Sequence, residues 1–180
     1  MKRVLITAVI AALFAITAEA QLLVSPNRPY RMLNPRPGYL TINEFTTGFG
    51  LAGTETPYSD FYYGFTSVHS YQIDRRFAIG GGTGLSVYGD GMLIPLFFDM
   101  RFRFRVSTLS FYGYGNGGLL IDPGDIDGGT KYYINAGPGV RLALSNSFAV
   151  KFGPGLFTQM GPTSRASFVM VRLGFSYKPN

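Results

Sequence analysis

The 180-residue chain has no cysteine, no tryptophan and a single histidine, His69. Without thiols it has no disulfide, no thiolate metal site, no cysteine nucleophile and no N-terminal cysteine to carry a lipid anchor. Charge is scarce as well. Asp, Glu, Lys and Arg make up 14% of the residues, where a soluble domain averages about 25%. Beyond residue 20 there is no apolar run long enough for a membrane-spanning helix. The 24 glycines and 11 prolines argue against long helices of any kind. Strands are what remain.

The first 20 residues read differently from the rest. Lys2 and Arg3 precede an apolar run over 4–16, and Ala18, Glu19 and Ala20 stand before Gln21. A basic start, a short apolar middle and a small-residue cleavage site are the three regions of a secretory signal. Removal of 1–20 leaves 160 residues with 14 basic and nine acidic groups, a net charge of +5. One domain is expected at that length. Residues 21–37 form a Pro-rich N-terminal segment, and the domain itself is expected over 38–178.

Hydropathy in that domain alternates with period two. In LIPLFFDMRFRF, residues 93–104, Ile94, Leu96, Phe98, Met100, Phe102 and Phe104 are large and apolar, and Asp99, Arg101 and Arg103 between them are ionised. A soluble protein cannot easily bury both sets. If lipid bathes the outside, neither is misplaced: the apolar set meets acyl chains and the charged set meets an enclosed polar interior. The same alternation recurs over 39–50, 61–72, 77–87, 93–105, 109–120, 131–144, 148–159 and 167–177. Each segment is about the length a tilted strand needs to cross a bilayer. Hydrocarbon satisfies no backbone N–H or C=O, so such strands must close. The expected fold is therefore all-β, an eight-stranded antiparallel up-and-down transmembrane β-barrel.

The connections are expected to alternate between short turns (73–76, 106–108, 145–147) and longer loops (51–60, 88–92, 121–130, 160–165). Six of the nine acids, Glu55, Asp60, Asp90, Asp122, Asp125 and Asp127, lie in the longer set. An eight-stranded barrel is just wide enough for its own side chains. The interior is expected to hold a polar network of Asp99, Arg101, Arg103, Arg141, Lys151 and Arg172, with Glu44 as a second acid. Pro95, Pro138 and Pro154 fall inside strands and remove ladder donors, so bulges are expected there.

Other chemistry was weighed against plainer readings. His69 has Ser67 and Ser70 nearby, but in a strand Ser70 points to the opposite face, so an interfacial structural histidine is expected in place of a hydrolase base. IDPGDIDGGTK, residues 121–131, carries three Asp among glycines but lacks the spacing of a calcium loop. GGGTG, residues 80–84, lacks the Lys and Ser/Thr of a phosphate loop. Tyr58, Phe61, Tyr62, Tyr63 and Phe65 read as an aromatic girdle at the outer interface. Arginines that alternate with Phe do not form a nucleic-acid patch. No catalytic residue, cofactor or metal is expected.

The signal, the segments PLFFDMRFRF and FAIGGGTGLSVYG and the closing VRLGFSYKPN resemble the outer-membrane β-barrel domain family, the small eight-stranded OmpA/OmpX-type barrels of the porin-like superfamily. The resemblance implies an outer-membrane location with both termini in the periplasm. It also implies a closing signal for the barrel-assembly machinery, here Arg172, Gly174 and Tyr177, with Pro179 where a last aromatic is usual. The implied role is noncatalytic, structural in the envelope or interactive through acidic loops, alone or as a subunit of a larger assembly. The implied partners are outer-membrane lipid, lipopolysaccharide, the assembly machinery and an envelope protein. A lipid-modifying enzyme, a narrow channel and a soluble lipocalin-like barrel are the alternatives.

Overall fold

The computed structural model describes residues 37–51, 60–89, 91–104, 107–124, 129–161 and 165–179. The expected signal (1–20), the lead over 21–36, and Glu55, Tyr58, Asp90, Arg105, Asp125 and Asp127 lie outside the described residues. All described elements are strands: β1 (Gly38–Gly50), β2 (Phe61–Gln72), β3 (Phe77–Tyr88), β4 (Gly91–Arg103), β5 (Leu109–Ile121), β6 (Lys131–Ala143), β7 (Phe148–Met160) and β8 (Arg165–Tyr177). Each pairs antiparallel with its neighbours in sequence. β8 returns to β1 from Thr41 opposite Tyr177 to Gly50 opposite Phe168, closing the barrel.

The period-two pattern sets which side chain goes where. Nine charged residues lie in the strands, and eight of them occupy inward-facing positions; the exception is Arg165, the first residue of β8. The outward positions are predominantly apolar, and in β4 they include Leu96, Phe98, Met100 and Phe102, each about half exposed. A soluble barrel has the reverse arrangement. Strands of 12 or 13 residues at ~3.3 Å per residue and ~40° tilt stand about 30–33 Å tall.

Three sequence expectations need correction. The connection between β3 and β4 is only 89–90, and that between β7 and β8 is 161–164. Only 51–60 and 122–130 exceed the turns at the other end, because pairing in β3–β4 extends to Tyr88 opposite Gly91. Tyr62 is not in the outer girdle: it is 3% exposed and inside the barrel, while Phe61, Tyr63 and Phe65 face out.

The prolines, finally, do not sit in bulges. In β6–β7 the register is the same before and after the interruption, from Ala136 opposite Leu156 to Val140 opposite Phe152, so no residue is inserted. That register puts Pro138 opposite Pro154. At the turn below, the Leu144 N–H donates to the Phe148 carbonyl at 3.0 Å. Counting back by twos makes Pro138 and Pro154 another hydrogen-bonding pair. Neither has an N–H, so two ladder bonds are lost at the middle of both strands without any change of register. Pro95 interrupts β3–β4 in the same way, again with constant register from Thr83–Leu96 to Ser86–Leu93.

Candidate functional site

Among the described residues, polar side chains converge in the lumen, and it is layered. Toward the 51–60 and 122–130 connections it is filled by rings. Tyr62 stacks with Tyr88 and meets Phe157 and Phe168, with centroids 5.2–5.3 Å apart. Phe157 reaches Tyr133 at 5.3 Å, and Tyr133 meets Phe97 edge-on. Gly48 of β1 makes this packing fit, since a side chain there would overlap the Tyr62 ring. The phenol of Tyr62 donates to the Met170 sulfur (3.4 Å) and that of Tyr88 to Gln159 Oε1 (3.3 Å), which removes the cost of burying them.

Below the rings lies an ionic cluster centred on Glu44. Its carboxylate accepts from Arg101 through both oxygens, at 2.6 and 2.9 Å, and from Arg172 at 3.0 Å. Arg101 also donates to Asp99 at 2.8 and 3.2 Å. Asn116 adds a longer contact to Asp99, at 3.4 Å. Two acids and two arginines thus form a neutral quartet that ties β1 to β4 and β8 across the lumen. Gly174 of β8 is part of that geometry: a Cβ there would lie 2.6 Å from Glu44 Cγ. The Arg172 guanidinium also lies over the Tyr114 ring, 4.1 Å from its centroid.

The charged inward residues toward the short turns are all basic. Lys151 is 5% exposed, and Arg103 and Arg141 are half-buried at the mouth. Of the residues expected in the network, Asp99, Arg101 and Arg172 share one cluster; Arg103, Arg141 and Lys151 form a second group without an acid. Sequence reasoning placed Glu44 at the margin, although it is the hub. The signal was present in the alternation of Ile42, Glu44 and Thr46 on one face of β1.

Between rings and quartet is a cavity of about 30 Å³, lined by Thr46, Thr66, Ser86, Asn116, Asn135 and Arg172 among others. Asn116 Oδ1, Asn135 Oδ1 and Arg172 Nε have no protein partner, and the space suits a water or two that would bridge them. It is far too small for a lipid tail or a folded ligand.

The remaining candidates lie elsewhere. His69 faces outward near the short turns, stacked on Tyr39 and hydrogen-bonded to its hydroxyl through Nδ1. Ser70 points into the lumen. Asp122 Oδ1 accepts from the Gly124 N–H at 2.9 Å, an ordinary turn. Of the closing signal, Arg172 and Gly174 face the lumen and Tyr177 faces out.

No protein-family model matches the chain, and no curated protein matches it in sequence. Among solved structures it is similar to the N-terminal β-barrel domain of Pseudomonas aeruginosa OprF, at 16% identity and a TM-score of 0.49, covering 79% of this chain and 100% of that one. It is also similar to the outer membrane protein OprG from Pseudomonas aeruginosa (11%, TM-score 0.46, covering 81% and 98%). A third likeness is to the de novo designed TMB2.3 (17%, TM-score 0.41, covering 80% and 96%). The assignment of the fold rests on the closed strand register itself.

Proposed function

We propose that the chain is a noncatalytic integral β-barrel protein of the outer membrane, with a lumen sealed by its own side chains and a role carried by its surfaces. The observation that carries this reading is the inversion of the barrel. Eight of the nine charged strand residues point in, the outward face is predominantly apolar, and tyrosines mark both ends of the apolar band. On β2 the outward Tyr63 and Tyr71 are eight residues apart, about 20 Å along the membrane normal for a tilted strand. Tyr132 continues the upper band, and Tyr39 and Tyr177 the lower one. An arginine or lysine moved to the middle of that band would cost about 2–4 kcal/mol.

Both ends of the barrel chain, Gly38 and Tyr177, lie beside the short turns, and the Lys178 N–H donates to Ser147 of the turn over 144–147. In this reading that end is periplasmic. The connections over 51–60 and 122–130, rich in acids, then meet lipopolysaccharide, an outer-leaflet partner that divalent cations would bridge to them. Arg172, Gly174 and Tyr177 on β8 are the strand presented to the assembly machinery, and an envelope protein is the remaining partner class. A narrow channel is disfavoured by the ring layer, a lipocalin-like carrier by the ionic quartet inside and the predominantly apolar outer face, and a hydrolase by the outward His69 bonded to Tyr39.

Gel mobility tests the reading directly. Envelope-extracted protein should run as a compact band unheated and slow only after boiling in detergent. Recovery in the soluble periplasmic fraction without a heat shift would overturn it. Orientation is tested separately: a cysteine placed in 51–60 should label with an impermeant reagent on intact cells, and one in 144–147 should not.

A further inference from the structure

Both lumenal acids are engaged by Arg101 and Arg172 in the quartet, which leaves the basic group at the turn end without an acid hydrogen-bonded to it. Arg141 and Lys151 are direct cross-strand partners on β6 and β7, and like charges opposite each other destabilise a sheet. Arg103, across β5 from them, lies within electrostatic reach of Arg141, and Lys151 within reach of Arg141 and Arg101 as well as of Glu44 and Asp99 in the quartet. Lys178 brings a further positive charge to the same mouth. Asp74 lies within electrostatic reach of Arg103, but its carboxylate is taken by the N–H groups of Arg76 and Phe77. Among the described residues, none of Lys151, Arg141 and Arg103 has an ion pair or side-chain hydrogen bond.

A fourth group points to the same place. Tyr112 leans from β5 over Gly139 of β6, beneath Lys151, whose Nζ is 5.8 Å from the ring centroid. Its hydroxyl is buried and has no hydrogen-bond partner. A buried phenol without a partner, beside an unpaired lysine that is 5% exposed and two half-buried arginines, is unfavourable by itself. The same arrangement is favourable around an anion with several acceptor oxygens.

We propose that the turn end of the lumen binds a phosphate-type anion, held by Lys151, Arg141, Arg103 and the Tyr112 hydroxyl. Free phosphate and the headgroup of a phospholipid in the adjoining leaflet share that chemistry. The site itself does not depend on the membrane reading; only the headgroup source does.

The test uses the full barrel in neutral detergent. Inorganic phosphate at millimolar concentration should raise the midpoint of the heat-induced mobility shift and give a saturable heat of binding, and chloride at equal ionic strength should do neither. Lys151→Gln and Arg141→Gln should each weaken phosphate binding at least tenfold, and Tyr112→Phe, which keeps the ring, a few-fold. Equal effects of chloride and phosphate, or Lys151→Gln binding like the parent, would overturn the proposal and leave only general screening. If Lys151→Gln gives no compact band, Arg103→Gln and Tyr112→Phe carry the test at the mouth and the phenol. Short-chain phosphatidylglycerol that displaces phosphate identifies the headgroup as the ligand; phosphate binding that the lipid leaves unchanged identifies the free anion. A failed membrane reading shows as protein soluble without detergent, in which phosphate can still be titrated; failure of this inference shows as a compact barrel without a phosphate signal.

Discussion

The two ends of the lumen are closed by different physics. Toward the long connections, Tyr62, Tyr88, Phe97, Tyr133, Phe157 and Phe168 fill the space as interlocking rings. Toward the turns, the same bore is closed by Glu44, Asp99, Arg101 and Arg172, with Lys151 and Tyr112 beneath. Rings adapt to a loss by small shifts, since each contributes many weak contacts. An ionic cluster adapts poorly, because a missing partner leaves a buried charge uncompensated. A lumen built in both ways should therefore break unequally when one residue is removed from each half.

Glu44 is where the largest effect is expected. Glu44→Ala leaves Arg172 without a carboxylate and Arg101 with only Asp99, and should cost about 3–5 kcal/mol of stability in detergent. Urea-dependent loss of the compact gel band measures it. The double variant Glu44→Gln with Arg172→Met restores charge balance and should recover most of the loss. Equal stability of Glu44→Ala and the parent would mean that the charges of the quartet are screened by water. The matching change in the ring half is Met170→Ala, expected near the low end of the usual 2–5 kcal/mol for such a truncation, because Tyr62 and Phe168 can move into the space. A cost above that of Glu44→Ala would reverse the comparison.

The strand pattern was readable in the sequence for a clear reason. Period two is imposed by the pleat, and a barrel with lipid outside makes the contrast between faces extreme, as in Leu96, Phe98 and Met100 against Asp99 and Arg101. Strand ends were read to within about two residues. What was not readable depends on which strands lie across the lumen from each other. Glu44 is 57 residues from Arg101 and 128 from Arg172, and only barrel closure brings them together. Tyr62 was assigned to the outside because its neighbours Phe61 and Tyr63 are aromatic as well; the phase of β2, inward at Val68, Ser70 and Gln72, decides otherwise. The prolines were misread because a bulge was taken as the way to lose a donor. The two GPG segments accommodate it in place, with Pro138 facing Pro154 and glycines on either side of each.

That crossing supplies a second contrast, between β6–β7 and the uninterrupted ladder of β7–β8, which pairs every residue from Phe148 to Met160. The Tyr114 hydroxyl donates to the Pro154 carbonyl at 3.0 Å and so covers one of the two acceptors that the prolines leave without a donor. Pro138→Ala together with Pro154→Ala returns two N–H groups to the ladder and should stabilise the barrel by about 1–3 kcal/mol. In hydrogen exchange, amides flanking the crossing in β6 should be less protected than those in β8 in the parent and approach them in the variant. Unchanged exchange would mean that the side-chain cover already holds the seam closed.

The smallest effect expected is at the β2–β3 turn, outside the apolar band, where a charge is held by backbone donors instead of by side-chain partners in the lumen. Asp74 is fully exposed, and its carboxylate accepts from the N–H groups of Arg76 (2.6 Å) and Phe77 (2.7 Å). The Arg76 amide, then the Phe77 amide, holds its pKa below the usual carboxylate value. Depression in the folded state means that the turn's contribution is complete above the unfolded pKa of about 3.9 and is lost as pH falls through the lower folded value. In NMR spectra of the barrel in micelles, the Phe77 amide proton should move with one titration below about pH 4, and the shift should vanish in Asp74→Asn. The amide side chain can still accept from the turn, so that variant should keep the parent's heat-shift midpoint at neutral pH. Titration of the Phe77 amide at or above the ordinary carboxylate range would show that the turn hydrogen bonds are not maintained in solution.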